Sequence, residues 1–260
     1  MNLLLSSAVR LFSFLVVSSL WIAFALAFRP ALLCLVGGLP IDPVAFLITF
    51  LVMFAIYARD KVSGSKEDLV NNPQRSILAK YPIKTLTTIS YVAAIALVIW
   101  WDASKLFAVL VPGIGGAVYT ARICGVRPKD LLGVKNLIVA SVSAICYAGL
   151  VCGAWWLYVL AFLLVFIDTV LFDIRDIKGD AAEGVRTLPV VLGKQRTLAI
   201  LAGLDVLLGM LSPIVAIFGA IWIVYFRKER HSLSDDLLVD GWAIWVQILL
   251  CLNMNLVAFF

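Results

Sequence analysis

Three aspartates, Asp173, Asp176 and Asp180, form the pattern in this sequence that points most directly to chemistry. They follow the apolar run 154–172, so a helix through that run carries all three on one face, about one turn apart. Carboxylates stacked in this way repel one another unless a cation lies among them. Mg²⁺ is the natural cation, because it binds a few carboxylates together with the phosphate oxygens of a substrate. We therefore expect a metal and phosphate site where an apolar helix meets water, and a substrate with a charged head and an apolar tail.

The elements that must position this motif are membrane helices. Hydrophobic residues make up 63% of the chain and charged residues 14%, and the mean hydropathy is +1.05. Soluble domains average about 45–50% apolar and about 25% charged residues. Several runs exceed the about 18 apolar residues that indicate a membrane span, and no polar stretch is long enough to fold alone. We predict one integral, multi-pass, all-α membrane domain over residues 1–260. The sequence lacks the motifs of serine hydrolases, P-loop NTPases and zinc enzymes.

The distribution of positive charge predicts the number and direction of the spans. The run 197–226 either crosses the membrane once or breaks near Pro213 into two spans. With two spans, four loops that hold 18 of the 21 lysines and arginines lie on one side, and Arg29 and Lys105 lie in opposite loops. The positive-inside rule then favours nine spans, with the N-terminus and the acidic loops in the cytoplasm. The net charge of +5 follows from this orientation and from anionic lipid, and it does not indicate nucleic acid. The predicted spans lie near 9–28, 42–58, 84–101, 105–121, 134–151, 154–172, 194–211, 212–227 and 240–259.

A second acidic loop is similar to the motif at Asp173, Asp176 and Asp180. The loop after the second predicted span contains Asp60, Asp68 and Arg75, and the loop after the sixth contains Asp180 and Arg186. Both loops follow an even-numbered span and face the same side, with four spans between them. We therefore expect two similar halves that bring the acidic loops face to face, since membrane folds with internal repeats often place a site between the repeats.

These motifs resemble those of the UbiA superfamily of intramembrane prenyltransferases. Asp173, Asp176 and Asp180 match the family pattern D-x-x-D-x-x-x-D, and the continuation Gly184-Val-Arg-Thr-Leu-Pro is also similar. The loop that begins at Asp60 corresponds to the family's first motif, N-D-x-x-D-x-x-x-D, and is called the first motif below. It departs from the family form, because Lys61 and Gly64 stand where two carboxylates are usual. Asp68 keeps the last carboxylate of that motif, and Asp60 lies one position before the first.

The resemblance implies nine transmembrane helices in two four-helix-like repeats around a central cavity, capped by the acidic loops. It implies Mg²⁺-dependent ionisation of a prenyl diphosphate, with membrane lipid around the site. The carboxylates implied in catalysis are Asp60, Asp68, Asp173, Asp176 and Asp180, and all of these except Asp60 would bind the metal. The residues implied in binding the diphosphate are Lys61, Asn72, Arg75, Lys178 and Arg186.

The function expected from the resemblance is transfer of a prenyl group to a lipophilic or aromatic acceptor. Two alternatives remain open: a UbiA-type terpene cyclase that folds the cation on itself, and a non-catalytic lipid-binding protein on the same scaffold. At the first motif, Lys61 either accompanies a weak metal site or replaces the metal as a fixed positive charge.

We expect no structural partner for Asp176 and Asp180. Asp168 lies inside an apolar span, where an ionisable group is costly, and we expect it at a helix end near the cavity. Asp205, in another apolar span, is expected to be hydrogen-bonded or protonated.

The charge distribution generates a topology prediction. Single cysteines introduced into a cysteine-free chain in the four positive loops should react as cytoplasmic residues, because those loops carry the charge that is retained inside. A tag placed after the last residue should report the opposite side. The measurement is labelling by a membrane-impermeant thiol reagent in intact and in opened cells. Labels in the third and fourth loops on opposite sides would mean that the run 197–226 crosses once. The label positions are Lys66, Lys129, Lys178 and Lys228, with the tag after Phe260.

Overall fold

The computed structural model of the chain describes residues 14–62, 81–121, 128, 131–151, 153–182, 184–227, 241 and 244. The regular elements among these residues are all helices, which confirms the all-α prediction for the described part of the chain. A 3₁₀ turn, Ala103–Lys105, joins the fourth helix to the fifth. In chain order the helices are α1 (Leu20–Leu26), α2 (Arg29–Gly37), α3 (Pro43–Val62), α4 (Ile83–Asp102), α5 (Phe107–Thr120), α6 (Val134–Leu150), α7 (Trp155–Ala182), α8 (Leu188–Leu192), α9 (Lys194–Leu211) and α10 (Pro213–Tyr225).

The described helices are those of an integral membrane protein. Within the described residues, four stretches are long and apolar enough to cross a bilayer, namely Leu20–Gly37, Pro43–Lys61, Ile83–Lys105 and Trp155–Ala182. The outward faces are apolar as well: Trp100 is 77% exposed and Met210 is 80% exposed. Such faces fit lipid as the surrounding medium. The count of nine spans, the two repeats and the orientation stay predictions, because the ninth predicted span lies almost wholly outside the described residues.

The long apolar run 197–226 is divided into two helices, as the two-span alternative requires. α9 ends at Leu211, Ser212 is extended with φ −154° and ψ 97°, and α10 begins at Pro213. Proline fits the first turn of a helix, because its missing N–H has no partner there in any case.

The prediction that Arg29 lies in a loop after the first span was wrong. That span was expected near 9–28, and its residues 9–13 lie outside the described residues, but an apolar helical stretch runs from Leu20 to Gly37. α1 ends at Leu26, and α2 begins at Arg29 with Pro30 in its first turn. Arg29 is therefore within the helical stretch and only 2% exposed. A carboxylate of α7 compensates the charge of its guanidinium, which is therefore buried as part of an ion pair.

That carboxylate belongs to Asp168, which is 8% exposed. The Nη2 atom of Arg29 donates a hydrogen bond to the Oδ2 atom of Asp168. The expectation that Asp168 lies at a helix end was wrong, because α7 continues to Ala182. Pairing with arginine is what allows a carboxylate inside an apolar helix, since an isolated ion there carries a large desolvation penalty.

α7 is the helix around which the others are arranged. It packs against α2, α6, α8, α9 and α10, and its contact with α6 is the most extensive in the described structure. Twenty-eight residues span about 42 Å at 1.5 Å per residue, which exceeds the hydrocarbon thickness of about 30 Å. The acidic motif occupies the last ten residues of this helix. It is thus carried beyond the apolar part of α7 towards the membrane surface.

The ion pair between α2 and α7 generates a stability prediction. Asp168→Leu leaves the Arg29 guanidinium buried without this carboxylate and should destabilise the fold by about 3–5 kcal/mol. The double variant Arg29→Met/Asp168→Leu removes both charges and should recover most of that loss. Thermal unfolding in detergent measures both, with Asp102→Asn at the far end of α4 as the matched control. A double variant as unstable as the single one would contradict the assignment of the loss to an uncompensated charge.

Candidate active site

The acidic motif on α7 begins with a fully buried carboxylate. Asp173 is 1% exposed, and both of its oxygens accept hydrogen bonds from the first turn of α6. The ammonium of Lys135 lies 2.6 Å from Oδ1, and the amide nitrogen of Asn136 lies 2.8 Å from Oδ2. Asn136 is itself completely buried. Lys135 and Asn136 reach this carboxylate because α6 starts at Val134, directly after Gly133 turns the chain with φ 74°.

Asp176, one turn later, is half-buried. Its Oδ1 atom lies 3.3 Å from the Nε atom of Arg175, whose guanidinium also lies over the ring of Phe172 at 5.0 Å from the centroid. The expectation that Asp176 has no structural partner was therefore wrong. The pair is partly open to solvent, so it contributes little to stability and leaves the carboxylate accessible.

Asp180, the last member of the motif, is 4% exposed. Its Oδ2 atom is buried and makes no hydrogen bond of normal geometry to any described residue. Asp180 is close enough to Lys135, Asp173 and Asp176 to interact with each of them electrostatically. The three carboxylates of the motif and the ammonium of Lys135 on α6 are therefore close enough to interact with one another. A cation added there would meet a concentration of negative charge.

The segment after α7 folds back over Asp180. Gly184 has φ 72°, a backbone conformation that favours glycine, and it reverses the chain. The N–H of Val185 then donates to the carbonyl oxygen of Asp180 at 2.8 Å, and Thr187 is buried against the Asp180 carboxyl. Arg186 points outwards and is exposed, as is Lys178 on the last turn but one of α7. The Gly184–Pro189 motif thus covers the acidic face on one side.

The first motif is described at its start only. Asp60 lies at the end of α3 on the wall of a cavity, and the ammonium of Lys61 donates to the carbonyl oxygen of Val16 at 2.9 Å. Tyr119 of α5 lies close enough to Asp60, Asp173 and Lys135 to interact with them electrostatically. It thereby connects the end of α3 with the motif on α7. The remaining predicted residues of this motif, Asp68, Asn72 and Arg75, lie outside the described residues.

A groove of about 520 Å³ leads from this polar region into the bundle. It lies between α3, α4, α5 and α6, and a volume of this size is in the range of small-molecule sites. Its polar end carries Tyr57, Arg59, Asp60 and Tyr119, while Met53 lies at its deep end. Met53 and Asp60 are seven positions apart on α3, so the groove extends about 10 Å along this helix at 1.5 Å per residue. The groove passes from charged groups at the membrane surface to apolar groups near the middle of the bundle.

Three glycines of α5, Gly113, Gly115 and Gly116, line the groove. A Cβ at Gly115 would lie 2.4 Å from Cγ1 of Val142, so this glycine serves the close packing of α5 against α6. A Cβ at Gly116 would meet only ordinary contacts, with Ile56 at 3.5 Å. At Gly113 it would lie 1.8 Å from the hydroxyl oxygen of Tyr91, which donates to the carbonyl oxygen of Val109 at 2.8 Å. The hydroxyl end of Tyr91 therefore occupies the space beside Gly113, and the open volume of the groove lies beside Gly116.

The residues of the acidic motif fit a divalent ion in chemistry and charge. Among the described residues, no three acidic, histidine or cysteine side chains lie as close together as metal ligands. Asp173, Asp176 and Asp180 nevertheless offer the hard oxygen donors that Mg²⁺ prefers. The Oδ2 atom of Asp180 is buried without a normal hydrogen bond to a described residue, so this oxygen could bind a cation.

Two residues of the site were not identified from the sequence. Lys135 had been counted as a loop charge, and Asn136 had not been singled out. The available signal was a lysine and an asparagine in succession at the start of an apolar helix, where a buried amide requires a partner. The residue roles inferred from the resemblance stay predictions.

Comparisons with known proteins agree with this architecture. The sequence model of the UbiA prenyltransferase family matches residues 38–228. Curated relatives are digeranylgeranylglyceryl phosphate synthases. That of Natronomonas pharaonis is 34% identical over 116 residues, covering 41% of this chain and 42% of the relative. That of Saccharolobus solfataricus is 30% identical over 186 residues, covering 66% of this chain and 64% of the relative.

The chain spans about two fifths to two thirds of the length of these relatives. A solved UbiA homologue from Archaeoglobus fulgidus, bound to GPP and Mg²⁺, superposes with a TM-score of 0.60 over 92% of this chain and 99% of that one. The two sequences are 18% identical, so this likeness shows the fold alone.

Proposed function

The chain belongs to the UbiA prenyltransferase family, and from that premise we propose that it moves a prenyl group from a prenyl diphosphate to a lipophilic acceptor, with Mg²⁺ as the metal. The observation that carries the proposal is the continuity between the charged cluster on α7 and the groove. Tyr119 lines the groove and lies near Asp60, Asp173 and Lys135. One continuous site thus offers a polar end for a diphosphate and an apolar end for a prenyl tail.

The charged end of the site is suited to the leaving group. Breaking the bond between the prenyl carbon and oxygen leaves diphosphate and an allylic cation. Asp173, Asp176 and Asp180 would hold Mg²⁺, which when bound supplies positive charge to stabilise the departing diphosphate. Lys178 and Arg186, exposed beside the motif, add positive charge from the chain itself.

The groove is suited to the allylic cation and its tail. Tyr57 and Tyr119 stand at its polar end, where their ring faces can stabilise a carbocation. Deeper in, Met53, Ile56 and Val142 provide apolar wall, and the missing side chain at Gly116 leaves room for a chain. An apolar wall around the reacting carbon also keeps out water, which would otherwise capture the cation.

The comparisons support the choice of donor and acceptor. The homologue from Archaeoglobus fulgidus was solved with GPP and Mg²⁺, which supports a prenyl diphosphate donor. The curated relatives are named as synthases of digeranylgeranylglyceryl phosphate, a glyceryl phosphate that carries two prenyl groups. We therefore place a prenylated glyceryl phosphate before aromatic acceptors. No observation favours the terpene cyclase or the lipid-binding alternative.

The first test removes carboxylates of the motif on α7. Asp176→Ala and Asp180→Ala should each lower turnover at least about 100-fold, since each removes an anionic ligand of the metal and with it several kcal/mol of transition-state stabilisation. The measurement is release of diphosphate and of coupled product from labelled prenyl diphosphates in detergent, with and without Mg²⁺. Asp102→Asn, at the far end of α4, should retain full activity.

The products formed by the unaltered protein separate the three functions. A coupled product with a glyceryl or aromatic acceptor supports the transferase, and diphosphate with a hydrocarbon or terpenol supports the cyclase. No diphosphate from donors of any length leaves a lipid-binding protein. Full turnover in well-folded Asp176→Ala protein would refute the assignment of the metal to α7.

The second test fills the groove. Gly116→Leu places an apolar side chain in the groove with only ordinary contacts at its Cβ, so the fold should tolerate it. The preference for a long over a short prenyl donor, measured as the ratio of kcat/KM values, should fall at least about tenfold, because each methylene left unburied costs about 0.8 kcal/mol. Gly203→Leu on α9 is the matched control, since a Cβ there meets no atom within 4 Å. Equal ratios in the two variants would exclude this groove as the site of the tail.

A further inference from the structure

We propose that Lys135 is an exchangeable counter-ion of the acidic motif: it neutralises Asp173 in the metal-free protein and is displaced when the divalent ion binds. The proposal rests on the metal site proposed above and adds a regulatory step to it. Lys135 is thus a positioning residue. When the divalent ion binds, it replaces the Lys135 ammonium as the cation beside Asp173.

The pairing shows why a resident cation is needed. Asp173 is 1% exposed, and a carboxylate so deeply buried is strongly destabilising unless a charge or several hydrogen bonds compensate it. The Lys135 ammonium lies 2.6 Å from its Oδ1 atom and also interacts electrostatically with Asp180. Lys135 therefore lowers the repulsion among carboxylates that share one face of α7.

Distance shows why the ammonium and a metal ion exclude each other. Mg²⁺ binds carboxylate oxygens at about 2.0–2.1 Å. With the ammonium 2.6 Å from Oδ1, a metal on the same oxygen would lie within about 5 Å of a second positive charge. In a buried setting this repulsion is screened far less than in water. The lysine is able to move aside, because its side chain is 23% exposed and flexible, while Asp173 is held in place.

Asn136 holds the Asp173 carboxylate in place while the cation changes. Its amide donates to the other oxygen of Asp173 at 2.8 Å, and it carries no charge that would repel a metal. It is completely buried and keeps this bond whichever cation is present, so it fixes the direction of the carboxylate through the exchange. When Lys135 leaves Asp173, its ammonium remains near Tyr119, at the polar end of the groove where the diphosphate is proposed to bind.

The test measures metal binding and stability rather than turnover. Mn²⁺ serves as the spectroscopic substitute for Mg²⁺, and bound and free Mn²⁺ are separated by EPR on the full chain in detergent. Lys135→Met removes the competing charge and should tighten Mn²⁺ binding at least about tenfold. Lys135→Arg keeps a charge that pairs more firmly with a carboxylate, and should weaken Mn²⁺ binding. Lys84→Met, at an exposed lysine in the first turn of α4, should match the unaltered protein.

Thermal unfolding in EDTA gives a second readout. Lys135→Met should unfold at least about 5 °C below the unaltered protein, because Asp173 loses its counter-ion, and Mn²⁺ should raise its midpoint more than that of the unaltered protein. Equal or weaker Mn²⁺ binding by Lys135→Met, or unchanged binding by Lys135→Arg, would overturn the exchange while leaving the metal site intact. If neither the unaltered protein nor Lys135→Met binds Mn²⁺, the proposed metal site itself fails and the exchange fails with it.

Discussion

A charge inside the apolar interior of a membrane protein must be paired, and this constraint determines how the helices around α7 are placed. α7 carries Asp168 and Asp173 on its buried surface. Asp168 is paired with Arg29 of α2, and Asp173 with Lys135 of α6. Packing of apolar side chains permits many small shifts of one helix along another, whereas an ion pair permits few. The Arg29–Asp168 pair, and the buried hydrogen bond from Asn136 to Asp173, therefore specify the register of α2 and α6 against α7.

The same arrangement joins the acidic motif to the groove. α6 supplies Lys135 at its start and Val142 to the groove wall two turns later. α5 supplies Tyr119 at the polar end and glycines where the groove enters the bundle. The bundle is close-packed elsewhere: a Cβ added at Gly149 would lie 2.9 Å from that of Ala108. Open volume is retained between α3, α4, α5 and α6, beside the charged cluster, where a substrate with a charged head and an apolar tail requires it.

Family membership and the residues of this chain together define the expected chemistry. The motif on α7 keeps the full set of carboxylates, whereas the motif after α3 has Lys61 and Gly64 where the family resemblance places acids. Lys61 is engaged with the carbonyl oxygen of Val16, which ties the end of α3 to the segment that precedes α1. The proposed metal binding therefore depends mainly on α7, whereas Asp60 lies on the wall of the groove at the end of α3.

The sequence alone determined the helical membrane class, the division of the chain before Pro213 and the placement of three aspartates on one helix face. These features depend on local composition, on the fixed φ of proline and on the period of the helix, which neighbouring residues specify. The sequence misplaced Arg29 in a loop and treated Lys135 as a loop charge. Both errors have one physical cause. Arg29 and its partner Asp168 are 139 residues apart in sequence, and Lys135 and its partner Asp173 are 38 apart. A charge in an apolar span is tolerated only when a carboxylate meets it, and which carboxylate meets which cation is decided by the packing of distant helices.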